Sequence, residues 1–315
     1  IRAFHLKELP MELNFTKMHG LGNDFVFVDD LNKSIELSAD QVAFLCDRHF
    51  GIGADGVVLV RPSDRPECVA YMHYINSDGT LAEMCGNGVR CFTKYLVDHG
   101  YIDAGAGSYI ADTKRGPLPI SFKLDADGYM SVASVDMDMP ILDPAKIPTH
   151  LPAEGSFSNG EHFVNEEVVS SPWGDFSFTC VSMGNPHAIC FFDNLEELPA
   201  EWFTSSDKSL NSFDLNRFGS YFESHEIFPM KTNVEFIVSA DDGLHMRVFE
   251  RGCGETLACG TGACASLVAA VLTGRSARTN KVHLRGGTLN ITWQDNNHVL
   301  MTGPATQVFT GTIEI

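Results

Sequence analysis

Apolar positions in this chain fall into short runs and alternations, broken by two stretches at helical spacing that each begin at a glycine pair. Residues 14–29 read as a strand, a tight turn through 20–24, and a second strand carrying Phe25, Val26, Phe27 and Val28. A helix follows over 38–49, started by Ser38, with Val42, Phe44 and Leu45 on its apolar face. The segment 51–56 reads as a loop, 57–60 as a buried strand and 71–75 as another. A helix is predicted from about 86 to 99, stopped at Gly100, and the alternating stretch 108–137 carries the hairpin signal Asp127-Gly128.

The second half repeats the order. Strands are expected over 178–182, 189–192, 233–238 and 245–249, with a turn at 184–187. A second helix over 260–272 stops at Gly274, and short strands around a Gly286-Gly287 turn close the chain. This helix is apolar almost all round, so a sheet must wrap it. Asn23 precedes Cys85 by 62 residues, as Asn185 precedes Cys259 by 74. Two similar α/β halves meeting at a cleft are therefore expected, with the boundary near residue 130. Two long polar stretches, 153–174 and 196–229, read as surface loops without visible chemistry.

Composition narrows the function classes. The chain has 315 residues, 44% hydrophobic, with a formal net charge of −19. Such a surface repels nucleic acid and anionic membrane, so neither partner is expected. The longest apolar run, 263–272, is too short to cross a bilayer. No export signal is apparent, and Met11 reads as the native start, which sets 1–10 aside as an extra segment. Nine cysteines without a Cys-x-x-Cys pair or zinc-type spacing indicate reduced thiols in a cytoplasm and no metal.

Chemistry concentrates in a repeated device: Cys85-Gly86-Asn87-Gly88 and Cys259-Gly260-Thr261-Gly262, each opening a helix. A thiol there faces free backbone N–H groups and the positive end of the helix dipole, which favour thiolate and can grip a carboxylate. The dipole is worth roughly 0.3–1 kcal/mol, up to ~2 in a sheltered site. A thiol pKa of ~8.5 therefore falls by only about one, and a second perturber is needed. His187 and Glu250 are the nearest candidates by sequence position. A buried inert thiol is the ordinary reading of a single cysteine, but matched flanks favour a pair, one acid and one base. Cys91, Cys253 and Cys264 lack the helix-start position and read as packing residues. Gly51-Ile52-Gly53-Ala54-Asp55-Gly56 fits a dinucleotide pattern but sits between a helix and a strand, the wrong context. The loop at 260–265 opens a helix, yet no Asp or Glu occurs from 256 to 294 to bind a ribose.

The motifs Met18-His19-Gly20-Leu21-Gly22-Asn23-Asp24-Phe25, 51–56, Asn76-Ser77-Asp78-Gly79, 85–91, Gly184-Asn185-Pro186-His187, Asn233-Val234-Glu235-Phe236 and 250–262 together resemble the diaminopimelate epimerase family, from Met11 to the C-terminus. The resemblance implies a fold of two pseudo-symmetric α+β domains, each a curled mixed sheet around a central helix. They would cover 11–130, rejoined by a last strand at about 305–315, and 131–304. It implies cofactor-independent interconversion of LL- and meso-diaminopimelate for lysine and peptidoglycan precursors. Cys85 and Cys259 would be the two bases, tuned by His187 and Glu250. Asn23, Asn76, Asn185, Asn233, Glu250 and Arg251 would hold the substrate, and Gly86, Asn87, Gly260 and Thr261 its reacting carboxylate. A homodimer is the one macromolecular assembly kept in view. Gly56 stands where some members have glutamine, Cys253 replaces a smaller residue, and the two polar loops are longer than usual. The competing readings are a proline-racemase-like enzyme on the same scaffold, a thiol redox or zinc protein, and a dinucleotide-binding module.

Overall fold

The computed structural model describes residues 11–158 and 160–315; the segment 1–10 lies outside the described residues. The chain folds as two compact units, one running to Ala133 and joined by Ala305–Ile315, the other Ser134–Pro304.

In the first unit, β1 (Glu12–Gly20) and β2 (Asn23–Asp29) form a hairpin. Its two turn residues, Leu21 and Gly22, have φ of 57° and 88°, the twist a two-residue hairpin needs. The helix α1 (Ala39–Cys46) starts at Ser38, where Ser38 and Gln41 cap one another reciprocally. It leads to β3 (Gly56–Arg61), which pairs in parallel with β2, and β4 (Tyr71–Asn76) returns antiparallel on β3. From there α2 (Gly86–Asp98) crosses to β5 (Ser108–Thr113), parallel to β4, and β6 (Gly116–Leu124) pairs antiparallel with β5. The C-terminal strand Thr306–Glu314 lies antiparallel along β1, from Glu12↔Glu314 to His19↔Thr306. Nearly all of α2 is buried, including Arg90 at 0% exposure. β7 (Met130–Asp136) spans the point where the chain passes between units.

The second unit begins with a small pair, β8 (Gly155–Ser156) and β9 (His162–Phe163). Antiparallel β10 (Glu167–Ser171), β11 (Gly174–Ser182) and β12 (Pro186–Phe192) follow. The helix α3 (Leu215–Glu223) precedes β13 (Asn233–Ala240), parallel to β12, and β14 (Gly243–Glu250) returns antiparallel on β13. Beyond β15 (Gly254–Glu255), α4 (Gly260–Leu272) crosses to β16 (Thr279–Leu284), parallel to β14. β17 (Gly287–Trp293) and β18 (Val299–Gly303) complete it, with β18 also paired to β7, and β19 (Thr306–Glu314) is the strand already placed on β1. The apolar α4 is buried through 262–270 and packs against strands from β11 to β18, as its all-round hydrophobicity requires.

The units therefore share one plan: hairpin, helical crossover to a parallel strand, hairpin, helical crossover again. Parallel neighbours need a crossover of a dozen or more residues, usually helical. That requirement makes α3 the counterpart of α1. It also corrects the expectation that 153–174 and 196–229 are surface loops. Trp202, Phe203, Phe213, Leu215, Phe218, Phe222 and Phe228 from the second stretch are buried, with Phe163, Val164 and Val169 from the first. Polar residues outnumber them in sequence, but the aromatics carry most of the area and fill the space over β11–β13. Arg247 on β14 ties the second stretch down, donating to the carbonyls of Leu210 (2.7 Å), Asn211 (3.1 Å) and Phe213 (2.6 Å) and pairing with Glu255. Cys253 is also corrected: it is exposed, whereas Cys91 and Cys264 are buried packing residues.

Candidate functional site

In each unit the polar residues gather at one end of the sheet. Parallel strands β2 and β3 begin at Asn23 and Gly56, and β4 ends there at Asn76 before α2 starts. In the second unit, β12 and β13 begin beside His187 and Asn233, β14 ends at Glu250, and α4 starts.

Cys85 and Cys259 are the N-cap residues of α2 and α4, in extended backbone (φ −139°, ψ 119° and φ −117°, ψ 109°) with no side-chain cap bond. The first-turn N–H groups thus lack the side-chain oxygen that Ser, Thr or Asp would offer. Both helices end alike. Gly100 and Gly274 take φ of 76° and 74°, and the next residue, Tyr101 or Arg275, donates back to Leu96 or Ala270 (2.8 and 2.7 Å). The repeated device is thus the same from first cap to last.

Around Cys85, Sγ lies 3.5 Å from Asn23 Oδ1, which also accepts from Asn87 Nδ2 at 3.2 Å. Asn23 Nδ2 donates to Asp55 at 2.6 Å, and Asp55 also accepts from the Asp24 N–H at 3.0 Å. Asn87 Oδ1 in turn accepts from buried Arg90 at 2.7 Å. Asn23 and Asn87 therefore brace one another beside the thiol. Asn76 donates to Thr80 Oγ1 at 3.0 Å, at the outer end of β4. Gly86 is buried in the first turn of α2.

Around Cys259, a nitrogen of His187, a carboxylate oxygen of Glu235 and Sγ lie within 4.8 Å of one another. His187 Nδ1 is 2.7 Å from Glu235 Oε1, and Nε2 is 3.1 Å from Asn185 Oδ1. Thr261 Oγ1 is 3.5 Å from Sγ, and Gly260 opens the helix. Glu250 accepts from Thr256 Oγ1. Asn233 is consumed by the backbone: Nδ2 donates to Pro186 O (2.8 Å) and Oδ1 accepts the Arg251 N–H (2.9 Å). It sets the loop that carries Arg251, whose guanidinium is exposed and reaches Met230 O.

The electrostatics reverse one expectation. The Cys259 thiol is pushed well above its ordinary pKa, first by burial and then by the charge of Glu250. Thr261 and the Gly262 N–H oppose this and lose. A helix start alone does not make this cysteine a thiolate in the free protein. Glu235, to which sequence reasoning gives no role, is fully buried, and burial raises its carboxyl pKa against the lowering effect of His187. Its signal in the sequence is a lone charge in the apolar run Val234-Glu235-Phe236-Ile237-Val238. Asp55, which accepts from Asn23 beside Cys85, is a second residue of the candidate site that sequence reasoning misses, hidden among the glycines of 51–56. His187, Glu235 and Cys259 are donor types that suit zinc, and Asp242, His245 and His283 form a second such group at the surface. In the first group Nδ1 is already engaged by Glu235, and in the second His245 Nε2 is engaged by Asp242 at 2.8 Å.

The fold is a scaffold shared with solved structures of other proteins. A hydroxyproline epimerase from Agrobacterium vitis matches with a TM-score of 0.64 at 15% identity, over 96% of this chain and 91% of that one. A PhzF-family phenazine biosynthesis protein from Bacillus anthracis matches at 0.65 and 15%, over 97% and 99%. At that identity the likeness is one of fold. Sequence takes it further: the model of the diaminopimelate epimerase family matches residues 15–141 and 179–308. Curated diaminopimelate epimerases of Leptospira biflexa and Methanococcus maripaludis are 42% and 45% identical, over 97% and 96% of this chain and 100% of each relative. The chain belongs to the diaminopimelate epimerase family.

Proposed function

We propose that this protein interconverts LL- and meso-diaminopimelate by moving one α-proton between two cysteines, with no cofactor in the proton transfer. The observation that carries this reading is the duplicated Cys-Gly helix start in a chain of this family. In the LL-to-meso direction Cys85, as thiolate, takes the α-proton from the L face. The electron pair spreads onto the carboxylate, whose oxygens gain charge. Cys259, as thiol, delivers a proton to the opposite face and is left as thiolate; the roles exchange in reverse. Burial and the neighbouring Glu250 carboxylate, which keep Cys259 protonated, suit it to begin as the acid.

Carbanion stabilisation falls to the free N–H groups at Gly86, Asn87, Gly260 and Thr261. One well-aimed donor of this kind is worth ~2.7–4 kcal/mol in a sheltered site. Asn76, Asn185 and Arg251 offer donors to the distal amino-acid end, while Asn23 braces Cys85 and Asn233 positions the Arg251 loop. Glu250, beside Cys259 in charge if not in contact, sets the thiol's proton affinity. The nine cysteines are thiols rather than disulfides, which supports a cytoplasmic site of action. Among the described residues no helix is long and apolar enough to cross a membrane. Exposed Val308 and Phe309 on β19 support a homodimer, to be checked by sedimentation of wild type and Phe309→Asp.

The deciding experiment incubates LL-diaminopimelate with the protein in heavy water. Deuterium should enter the α-carbon as meso product forms, and Cys85→Ser and Cys259→Ser should each lose turnover by roughly 10²–10⁴. Proline run in parallel should stay unlabelled. Full turnover in either serine variant, or labelling of proline in preference, overturns the reading.

A further inference from the structure

Glu235 lies beneath the first turn of α4, fully buried, with one oxygen on His187 Nδ1 at 2.7 Å. Among the described residues its other oxygen, Oε2, has no hydrogen-bond partner. The opposite ring nitrogen, Nε2, faces the Asn185 oxygen at 3.1 Å, an atom that can only accept. Nε2 therefore carries a proton. If the ring is neutral, Nδ1 is a bare acceptor and the proton between it and Glu235 belongs to the carboxyl.

A charged ring facing a carboxylate is the costlier arrangement here. It buries an ion pair and leaves one carboxylate oxygen without a donor. It also sets a negative charge near Glu250, which raises the Glu235 carboxyl, as burial does. The titratable groups facing this carboxyl are Cys180 on β11, His187 on β12, Glu250 on β14 and Cys259 at the start of α4. None supplies a fixed positive charge. Gly262 is what admits the group: a Cβ there would stand 2.6 Å from Oε1.

We propose that Glu235 is a positioning residue held as a neutral carboxylic acid. Its O–H donates to His187 Nδ1, and His187 Nε2–H donates to Asn185 Oδ1. The chain of donors runs outward, so Asn185 turns its Nδ2 hydrogens to the ligand. The group recognised at Asn185 is then an acceptor, a carboxylate of the substrate, which deepens the function proposed above and rests on it.

Glutamine can donate to Nδ1 as the acid does; methionine cannot. With diaminopimelate as substrate, Glu235→Gln should keep KM and kcat within about threefold of wild type, while Glu235→Met raises KM roughly tenfold to a hundredfold, more than it lowers kcat. The infrared difference spectrum between wild type and Glu235→Gln should show a protonated-carboxyl C=O stretch that the variant lacks. Absence of that stretch overturns the proposal, as does a Glu235→Gln enzyme as impaired as Glu235→Met. The infrared arm needs no turnover and still decides if Glu235→Met does not fold. A wild type that exchanges no α-proton refutes the proposed function, and the infrared result then still judges the protonation of Glu235.

Discussion

At the scale of single residues, the two cysteines share a backbone position but not an environment. Cys85 rests on Asn23, itself held by Asp55, whereas Cys259 is walled by Glu235, His187 and Thr261. Burial and the charge of Glu250 favour the neutral thiol of Cys259, so its alkylation by iodoacetamide should reach half its maximum well above pH ~8.5, the midpoint of an ordinary thiol. Removing that charge lowers the thiol pKa, so Glu250→Gln should move the profile to lower pH. Peptide mass spectrometry can follow Cys259 apart from exposed Cys253, and an unmoved profile would count against the electrostatic account. Asp55 acts through Asn23. Deleting it frees the amide that braces Cys85, and Asp55→Ala should reduce kcat by roughly 10-fold with a smaller change in KM.

At the scale of elements, close approach decides what each helix tolerates. Gly219 of α3 lies so near β14 that a Cβ would stand 2.5 Å from Phe249 Cβ. Alanine is the better helix former by about 1 kcal/mol, but overpacking costs about 1–3. With the collision at a strand residue's Cβ, rather than the end of a flexible side chain, the packing loss should win. Gly219→Ala should therefore be less stable in urea unfolding, and a gain in stability would show that α3 can slide outward. At Gly262 the same change meets Glu235 Oε1 at 2.6 Å and Cys259 Sγ at 3.3 Å. Here turnover should fall more steeply than stability, and equal losses would place the defect in the core instead.

At the scale of the whole molecule, the chain's last strand belongs to the unit its first strand began. β19 pairs with β1 along nearly its whole length, and Ile315 exchanges backbone bonds with Met11 (3.0 and 2.9 Å). Ending the chain after Ala305 would bare the edge of β1, an unpaired row of N–H and C=O groups. That truncated protein should lose its cooperative melt and enter the insoluble fraction on expression; an unchanged melting temperature would show β1 to be held without it. In the second unit the load falls on the aromatic cluster over β11–β13. Phe213→Ala should cost about 3–5 kcal/mol there by chemical denaturation, although its segment reads as polar.

Sequence alone determined what is local. Both Cys-Gly helices, their glycine stops, the β1–β2 turn and the all-round burial of α4 follow from spacing and backbone preference, which act over a few residues. So did the residue types of the candidate site, because repeated motifs mark them wherever they fold. Only tertiary structure decided the rest. It made the stretch 196–229 a crossover over an aromatic core, since a parallel pair demands one. It made Asn233 a brace, Glu235 a partner of His187 and Cys259 a thiol. Burial and the approach of charges from separate strands set proton affinity, and neither is a property of a residue's neighbours in sequence.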